Sequence, residues 1–267
     1  MTKKALLFAV GVGIFLTSCG IFDKTVTKSP TTSSQTTDKT NEFMLDILEM
    51  FDNARQRKIP VAFYYPKTDK RNKNQQLVIF SHGYGQNKGG DYLTYSYLTE
   101  NLATKGYFVV SIQHELPTDE LLAMDGDLRV TRRPNWERGV ENIYYVLNKL
   151  KDMKPYLDYK HVSLIGHSNG GDMSVLFAHK YPKLVYKIIS MDNRRMSLPR
   201  VSKPRIYTLR SDDYPADEGV LPTDEECEKF SITVQFTSIN HSSMDNKATA
   251  YERKILNEYI EKYLIEK

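Results

Sequence analysis

The pentad Gly166-His167-Ser168-Asn169-Gly170 joins an apolar run at 162–165 to a helix-forming stretch at 170–181. A serine flanked two residues away on each side by glycine, at a strand-to-helix turn, is the pattern of a nucleophile elbow. Glycines at 166 and 170 lack the Cβ atoms that would collide in so sharp a bend. The turn lifts the Ser168 hydroxyl above a sheet, and the following helix N-terminus favours negative charge beside it. A serine hydroxyl is a weak nucleophile until a base takes its proton. Among six histidines, His241 fits that role best. It follows the run 233–236, precedes the last helical stretch and comes after the serine in chain order. His82 belongs to a His-Gly turn. His167 lies inside the elbow, with its side chain expected to point away from that of Ser168. His161 and His179 read as surface or helix-face residues, and His114, just past an apolar run, is able to line the site.

An acyl-transfer intermediate carries an oxyanion, which two main-chain N–H groups can hold. The amide of Asn169 follows the nucleophile directly. The second donor is expected from the turn Ser81-His82-Gly83-Tyr84-Gly85, at Tyr84. The acid that would fix the histidine tautomer has two candidates. Asp192 ends the run 185–191, and Asp213 lies just beyond the run 205–209, with Asp212 and Asp217 beside it. Both are strand-end positions and the residues alone leave the choice open. No histidine pair has metal-helix spacing, so no metal and no cofactor are expected.

These residues need a rigid support. Apolar runs alternate with amphipathic segments, which predicts an α/β domain with a doubly wound, mostly parallel sheet. Strands are expected at 61–65, 77–81, 108–113, 162–165, 185–191, 205–209 and 233–236. Leu93, Tyr97, Leu98 and Leu102 fall on one helical face. Pro134 suits a first helical turn, and Trp136, Val140, Ile143, Leu147 and Leu150 then recur at helical spacing. A closing helix is expected at 250–264, and Cys227 reads as a structural thiol in a helical run at 223–229. Only 12 residues separate Asp192 from Arg205, too few for a large cap domain. The loop 114–134 is therefore expected to be the only substantial overhang above an open site. It and the turn after Asp192 carry Arg129, Arg132, Arg133, Arg194, Arg195 and Arg200, which would favour an anionic substrate if they converge.

The chain has 267 residues, 40% hydrophobic and 26% charged. That composition excludes collagen, coiled coil and a wholly disordered chain. The 37 Lys and Arg against 33 Asp and Glu give a net charge of +4, too even to indicate a nucleic-acid partner. Two cysteines, Cys19 and Cys227, supply neither a zinc cluster nor a disulfide framework. The N-terminus reads as an address. Lys3 and Lys4 precede a short apolar run at 5–16, of the length of a secretory signal. Leu16-Thr17-Ser18-Cys19 resembles the bacterial lipobox. The resemblance implies a signal peptide over 1–18, lipidation of Cys19 and anchoring in the bacterial cell envelope, with Gly20 pointing to the outer membrane. Residues 19–41, rich in Ser and Thr, then form a flexible tether, and the folded domain spans 42–267.

Residues 60–265 resemble the α/β-hydrolase superfamily. Several stretches are similar to its platelet-activating-factor acetylhydrolase branch: Leu77-Val78-Ile79-Phe80-Ser81-His82-Gly83, Gly106-Tyr107-Phe108-Val109-Val110 leading to His114-Glu115, the elbow itself, and Asn240-His241-Ser242-Ser243-Met244-Asp245. In that branch the acid follows the strand after the elbow helix, which implies Asp192; many other hydrolases place it one strand later, near Asp213. The implied function is a membrane-tethered serine esterase acting on a small-molecule ester such as an acylated glycan or lipid-derived ester, through an acyl-enzyme. The alternative is a non-catalytic surface lipoprotein that uses the fold as a binding scaffold.

Overall fold

The computed structural model describes residues 42–67 and 73–266. The expected signal segment and tether, with Cys19, lie outside the described residues. Strands β1 (Phe43–Asp52) and β2 (Arg57–Pro66) open the domain, followed by β3 (Gln75–Ser81), α1 (Ser96–Thr104) and β4 (Phe108–Ile112). Helices α2 (Leu128–Thr131) and α3 (Arg133–Met153) lead to β5 (Leu157–His167) and α4 (Ser168–Lys180). Then come β6 (Lys187–Met191), β7 (Arg205–Arg210), α5 (Asp224–Phe230), β8 (Thr233–Phe236) and α6 (Ala250–Ile265). The eight strands form one sheet in the order β1-β2-β4-β3-β5-β6-β7-β8. The ladders β1–β2 and β2–β4 are antiparallel, and all the others are parallel.

Period-two burial explains the two cores. Leu77 and Ile79 of β3, with Phe108, Val110 and Ile112 of β4, pack beneath α3 and α4. Their neighbours Val78, Phe80 and Val109 face the opposite side, with Leu98 and Leu102 of α1 and Leu256 and Ile260 of α6. A strand buried on both faces must be apolar throughout, as in doubly covered parallel sheets. The five residues of α3 expected on one face are all buried. No helix lies between β6 and β7, so no cap is inserted there.

Two differences from the sequence expectation have physical causes. Strand β1 was not expected. In FMLDILEMFD the acids Asp46, Glu49 and Asp52 recur every third residue, a helical spacing that does not match the two-residue alternation of a strand; pairing with β2 along its whole length overrides it. Strand β5 also starts earlier than the run 162–165, since its first residues add to β3 at Gln75 and Gln76.

The strand ends that matter are tied to the last helix. Lys187, the first residue of β6, is buried, and its Nζ donates to the carbonyls of Tyr263 (2.8 Å), Leu264 (2.6 Å) and Glu266 (2.5 Å). A helix leaves its final carbonyls without internal partners, and this ammonium satisfies them. Lys187→Met is expected to lower unfolding stability by about 2–3 kcal/mol, measured by urea denaturation; a loss below about 0.5 kcal/mol would contradict this role.

Candidate active site

The carboxyl ends of β3, β5, β6, β7 and β8 point to one side of the sheet, where open α/β sheets bind ligands. Ser168 stands at the β5–α4 junction with φ of 52°. A Cβ on Gly166 would come within 2.4 Å of the Gly170 carbonyl oxygen, and one on Gly170 within 2.3 Å of the Ser81 and His82 carbonyl oxygens. The bend is thus closed by backbone against backbone, which is why both flanking positions are glycine.

His241 reaches across from the loop after β8. Its Nε2 lies 2.9 Å from Ser168 Oγ, and its Nδ1 2.5 Å from Asp192 Oδ2. The carboxylate therefore assigns the ring proton to Nδ1 and leaves Nε2 as the acceptor for the serine. Asp192 is fully buried and, like the serine, sits at positive φ, 58°. Ser211 donates to it from its backbone N–H and its hydroxyl, and the buried Arg210 guanidinium lies 2.9 Å from Oδ1. Burial alone would push its pKa up; the His241 hydrogen bond, the Arg210 charge and the Ser211 donors outweigh this and hold it below the usual value. Asp213 is exposed, and its Oδ1 accepts the backbone N–H of His241 at 2.7 Å. It holds the loop, while Asp192 holds the ring.

Tyr84 and Asn169 both line the pocket beside Ser168. The Tyr84 N–H makes no hydrogen bond among the described residues, and the Asn169 N–H, in the first turn of α4, has no intrahelical acceptor. The Asn169 side chain is locked from three directions. Trp136 Nε1 donates to its Oδ1 (2.8 Å), while its Nδ2 donates to Glu115 Oε1 (2.9 Å) and Asn135 Oδ1 (2.9 Å). Burial pushes the Glu115 carboxyl up. Glu115, Asn135 and Trp136 are supports that the residue pattern alone does not single out, because only the fold brings them to residue 169.

The remaining histidines separate clearly. His114 does not line the pocket; it is buried, with its Nε2 2.9 Å from Ser81 Oγ. His82 braces the turn, Nδ1 donating to the Gly83 carbonyl (2.7 Å) and Nε2 accepting the His114 N–H (3.0 Å). His167 carries structure of its own. A hydrogen-bonded line runs from Gly83 N–H to the Tyr95 hydroxyl (3.0 Å), on to His167 Nδ1 (2.7 Å), and from Nε2–H to the His241 carbonyl (3.1 Å). It connects the turn holding Tyr84 to the loop holding His241.

The pocket has a volume of about 360 Å³. Loop 114–134 covers one side. Arg57 clamps its Asp119 through two 2.7 Å bonds, and the Tyr84 hydroxyl accepts the Leu122 N–H. It is not the sole overhang, because Asp213 and Tyr214 from the β7–α5 connection line the other side. Of the six arginines expected to be able to converge, Arg132, Arg194 and Arg195 line the pocket. Arg133 instead pairs with Glu137, and Arg200 pairs with Glu226 and binds carbonyls of 198 and 219–221. Cys227 is a free thiol in α5. Among the described residues no group of three or more His, Cys, Asp or Glu is placed to hold a metal.

No family model matches the chain. A 70-residue stretch, 26% of the chain, is 37% identical to ethanol acetyltransferase 1 of Eremothecium cymbalariae, and covers 20% of that protein. Among solved structures, a Bacteroides ovatus protein described as a dipeptidyl aminopeptidase IV superposes over 85% of this chain and 36% of its own, with TM-score 0.62 and 16% identity. A fungal esterase from Rhizomucor miehei covers 84% of this chain and 83% of its own, with TM-score 0.61 and 10% identity. A thermostable esterase covers 84% of this chain and 62% of its own, with TM-score 0.59 and 17% identity. The chain thus spans about a third of the aminopeptidase and a fifth of the acetyltransferase. The fold is that of the α/β-hydrolases.

Burial holds the His167 pKa down, at about 3 against an ordinary 6.5, with the neighbouring His241 charge adding to the effect. Between these values the unfolded chain binds a proton at this position that the folded chain refuses. Acidification from 6.5 towards 3 therefore favours unfolding, by at most about 1.4 kcal/mol per pH unit from this group. His167→Gln is expected to lose stability less steeply over that window than the parent, in urea titrations at stepped pH; parallel curves would show that residue 167 is protonated in the fold.

Proposed function

We propose that this chain is a serine hydrolase of carboxylic esters, with Ser168 as nucleophile, His241 as general base and acid, and Asp192 as the residue that orients the imidazole. One observation carries the reading: a single imidazole bridges the serine oxygen at 2.9 Å and a buried carboxylate at 2.5 Å. The fold shared with esterase structures supports it.

In the first half-reaction Ser168 Oγ bonds to the ester carbonyl carbon and passes its proton to His241 Nε2. The carbonyl electron pair moves onto oxygen, where the Tyr84 and Asn169 N–H groups receive it; such a donor contributes roughly 3 kcal/mol. Collapse breaks the bond to the alcohol oxygen, which leaves with the proton from Nε2. Water then repeats the sequence on the acyl-enzyme and releases the acid. The stretch shared with an ethanol acetyltransferase fits the same acyl-enzyme, with an alcohol replacing water as acceptor. For the N-terminal segment we propose the lipoprotein role: cleavage before Cys19, a diacylglyceryl thioether there, and display of the domain at the bacterial envelope. Acyl chains hold a protein to a bilayer at about 0.8 kcal/mol per buried CH₂.

A fluorophosphonate probe should label the parent and fail to label Ser168→Ala; equal labelling of both rejects the nucleophile. Asp192→Asn should lower kcat on p-nitrophenyl acetate by about 10⁴, while Asp213→Asn should cost less than about tenfold. Comparable mild losses in both would reject Asp192 as the orienting acid. Fatty-acid labelling of expressing bacteria should be lost in Cys19→Ala, and labelling that persists would reject the anchor.

A further inference from the structure

The pocket beside Ser168 is charged in an unbalanced way. Arg132, Arg194 and Arg195 line it together, from the α2–α3 junction and from the turn after Asp192. None of the three has an ion-pair partner within 4.0 Å among the described residues. Arg132 is buried, and Arg194 and Arg195 are half-buried; a charge drawn out of water is ordinarily paired, since leaving it unmatched is costly.

Two of the guanidiniums are held in place by something other than a carboxylate, and the third has no such partner. Arg132 is 7% exposed, with Nε donating to the Ala123 carbonyl at 2.8 Å. Arg194 lies 3.9 Å over the Tyr214 ring, which itself stacks on His241. Arg195 buries an Nε that has no hydrogen-bond partner. The nearby acids are otherwise engaged. Asp172 is buried and accepts the backbone N–H groups of Arg195 and Met196, and its carboxyl is pushed up by burial. Asp213 accepts the His241 N–H. Asp172 and Asp217 act on the Arg132 and Arg195 guanidiniums through space, without forming an ion pair. Burial first, and then mutual repulsion within the cluster, lowers the proton affinity of Arg132 and Arg195. Leu122 and Leu128 supply apolar wall in the same pocket.

Resting on the esterase reading of this site, we infer that the pocket selects esters bearing an anionic group, carboxylate or phosphate, which Arg132, Arg194 and Arg195 hold beyond a short apolar segment. Planar guanidiniums match both oxyanions with paired N–H bonds. Arg194 and Arg195 follow the orienting acid by two and three positions, so the residues that recognise the anion and the residue that holds the base share one turn. The anion can belong to the acyl or to the alcohol half.

Matched substrate pairs with the full chain test this. On the acyl side, p-nitrophenyl hexanoate is compared with the p-nitrophenyl monoester of adipic acid. On the alcohol side, phenyl acetate is compared with 4-acetoxybenzoate and with 4-acetoxyphenyl phosphate. At least one anionic member should exceed its neutral partner by about tenfold or more in kcat/KM, and that advantage should shrink with added salt. The ratio should fall towards one in Arg194→Gln and Arg195→Gln, recover in part in Arg195→Lys, and stay unchanged in Arg129→Gln, a residue outside the pocket. Neutral esters cleaved as well as or better than every anionic partner would overturn the inference while leaving the esterase reading intact. A preference that survives both glutamine variants would overturn it too. No turnover of any ester, with no fluorophosphonate labelling, would remove the esterase reading and this inference with it.

Discussion

The site depends on one ring held from both sides. His241 is useful to Ser168 only while its Nδ1 proton is committed to Asp192, because that bond decides which nitrogen faces the hydroxyl. Asp192 can keep its charge in a fully buried position because Arg210 and Ser211 surround it with donors. The carboxylate is therefore compensated before the imidazole is counted, and it remains an acceptor for the ring. The line from Gly83 through Tyr95 and His167 to the His241 carbonyl fixes the other side of the same residue.

This arrangement is assembled at strand ends by strained backbone. Ser168 and Asp192 directly follow adjacent strands, β5 and β6, and both occupy the left-handed region despite carrying side chains. Each such residue costs of order 1–3 kcal/mol. The surrounding core sustains that cost: β5 and β6 are covered by α4 on one face and by α6 on the other. The reward is direction, since a left-handed residue at the end of a strand projects its side chain over the rim.

Much of this is legible in the residues themselves. The central strands stand out because residues such as Ile79 and Phe80 must serve opposite cores. Ser168 stands out because a bend tight enough to pitch a hydroxyl over a sheet leaves no room for a Cβ two positions to either side. The acid does not, for both Asp192 and Asp213 follow strands, and both contact His241. What separates them is burial and which atoms they meet, the ring or the backbone. The brace of Glu115, Asn135 and Trp136 around Asn169 is equally hidden, because it joins a loop, a helix start and the elbow through contacts up to 54 positions apart. Strand β1 escapes for a local reason, since its acids repeat at a helical spacing that pairing with β2 overrides.

Sequence distance within the bridged pair has a further consequence for how the molecule comes into being. The serine and its imidazole are separated by 73 positions, and the imidazole sits between an edge strand and the closing helix, whose end is clasped by Lys187. A growing polypeptide displays its hydroxyl well before residue 241 has emerged. On the hydrolase reading proposed above, cutting power would therefore arrive late in biogenesis, once the rear of the chain has docked, and partially made copies would stay inert.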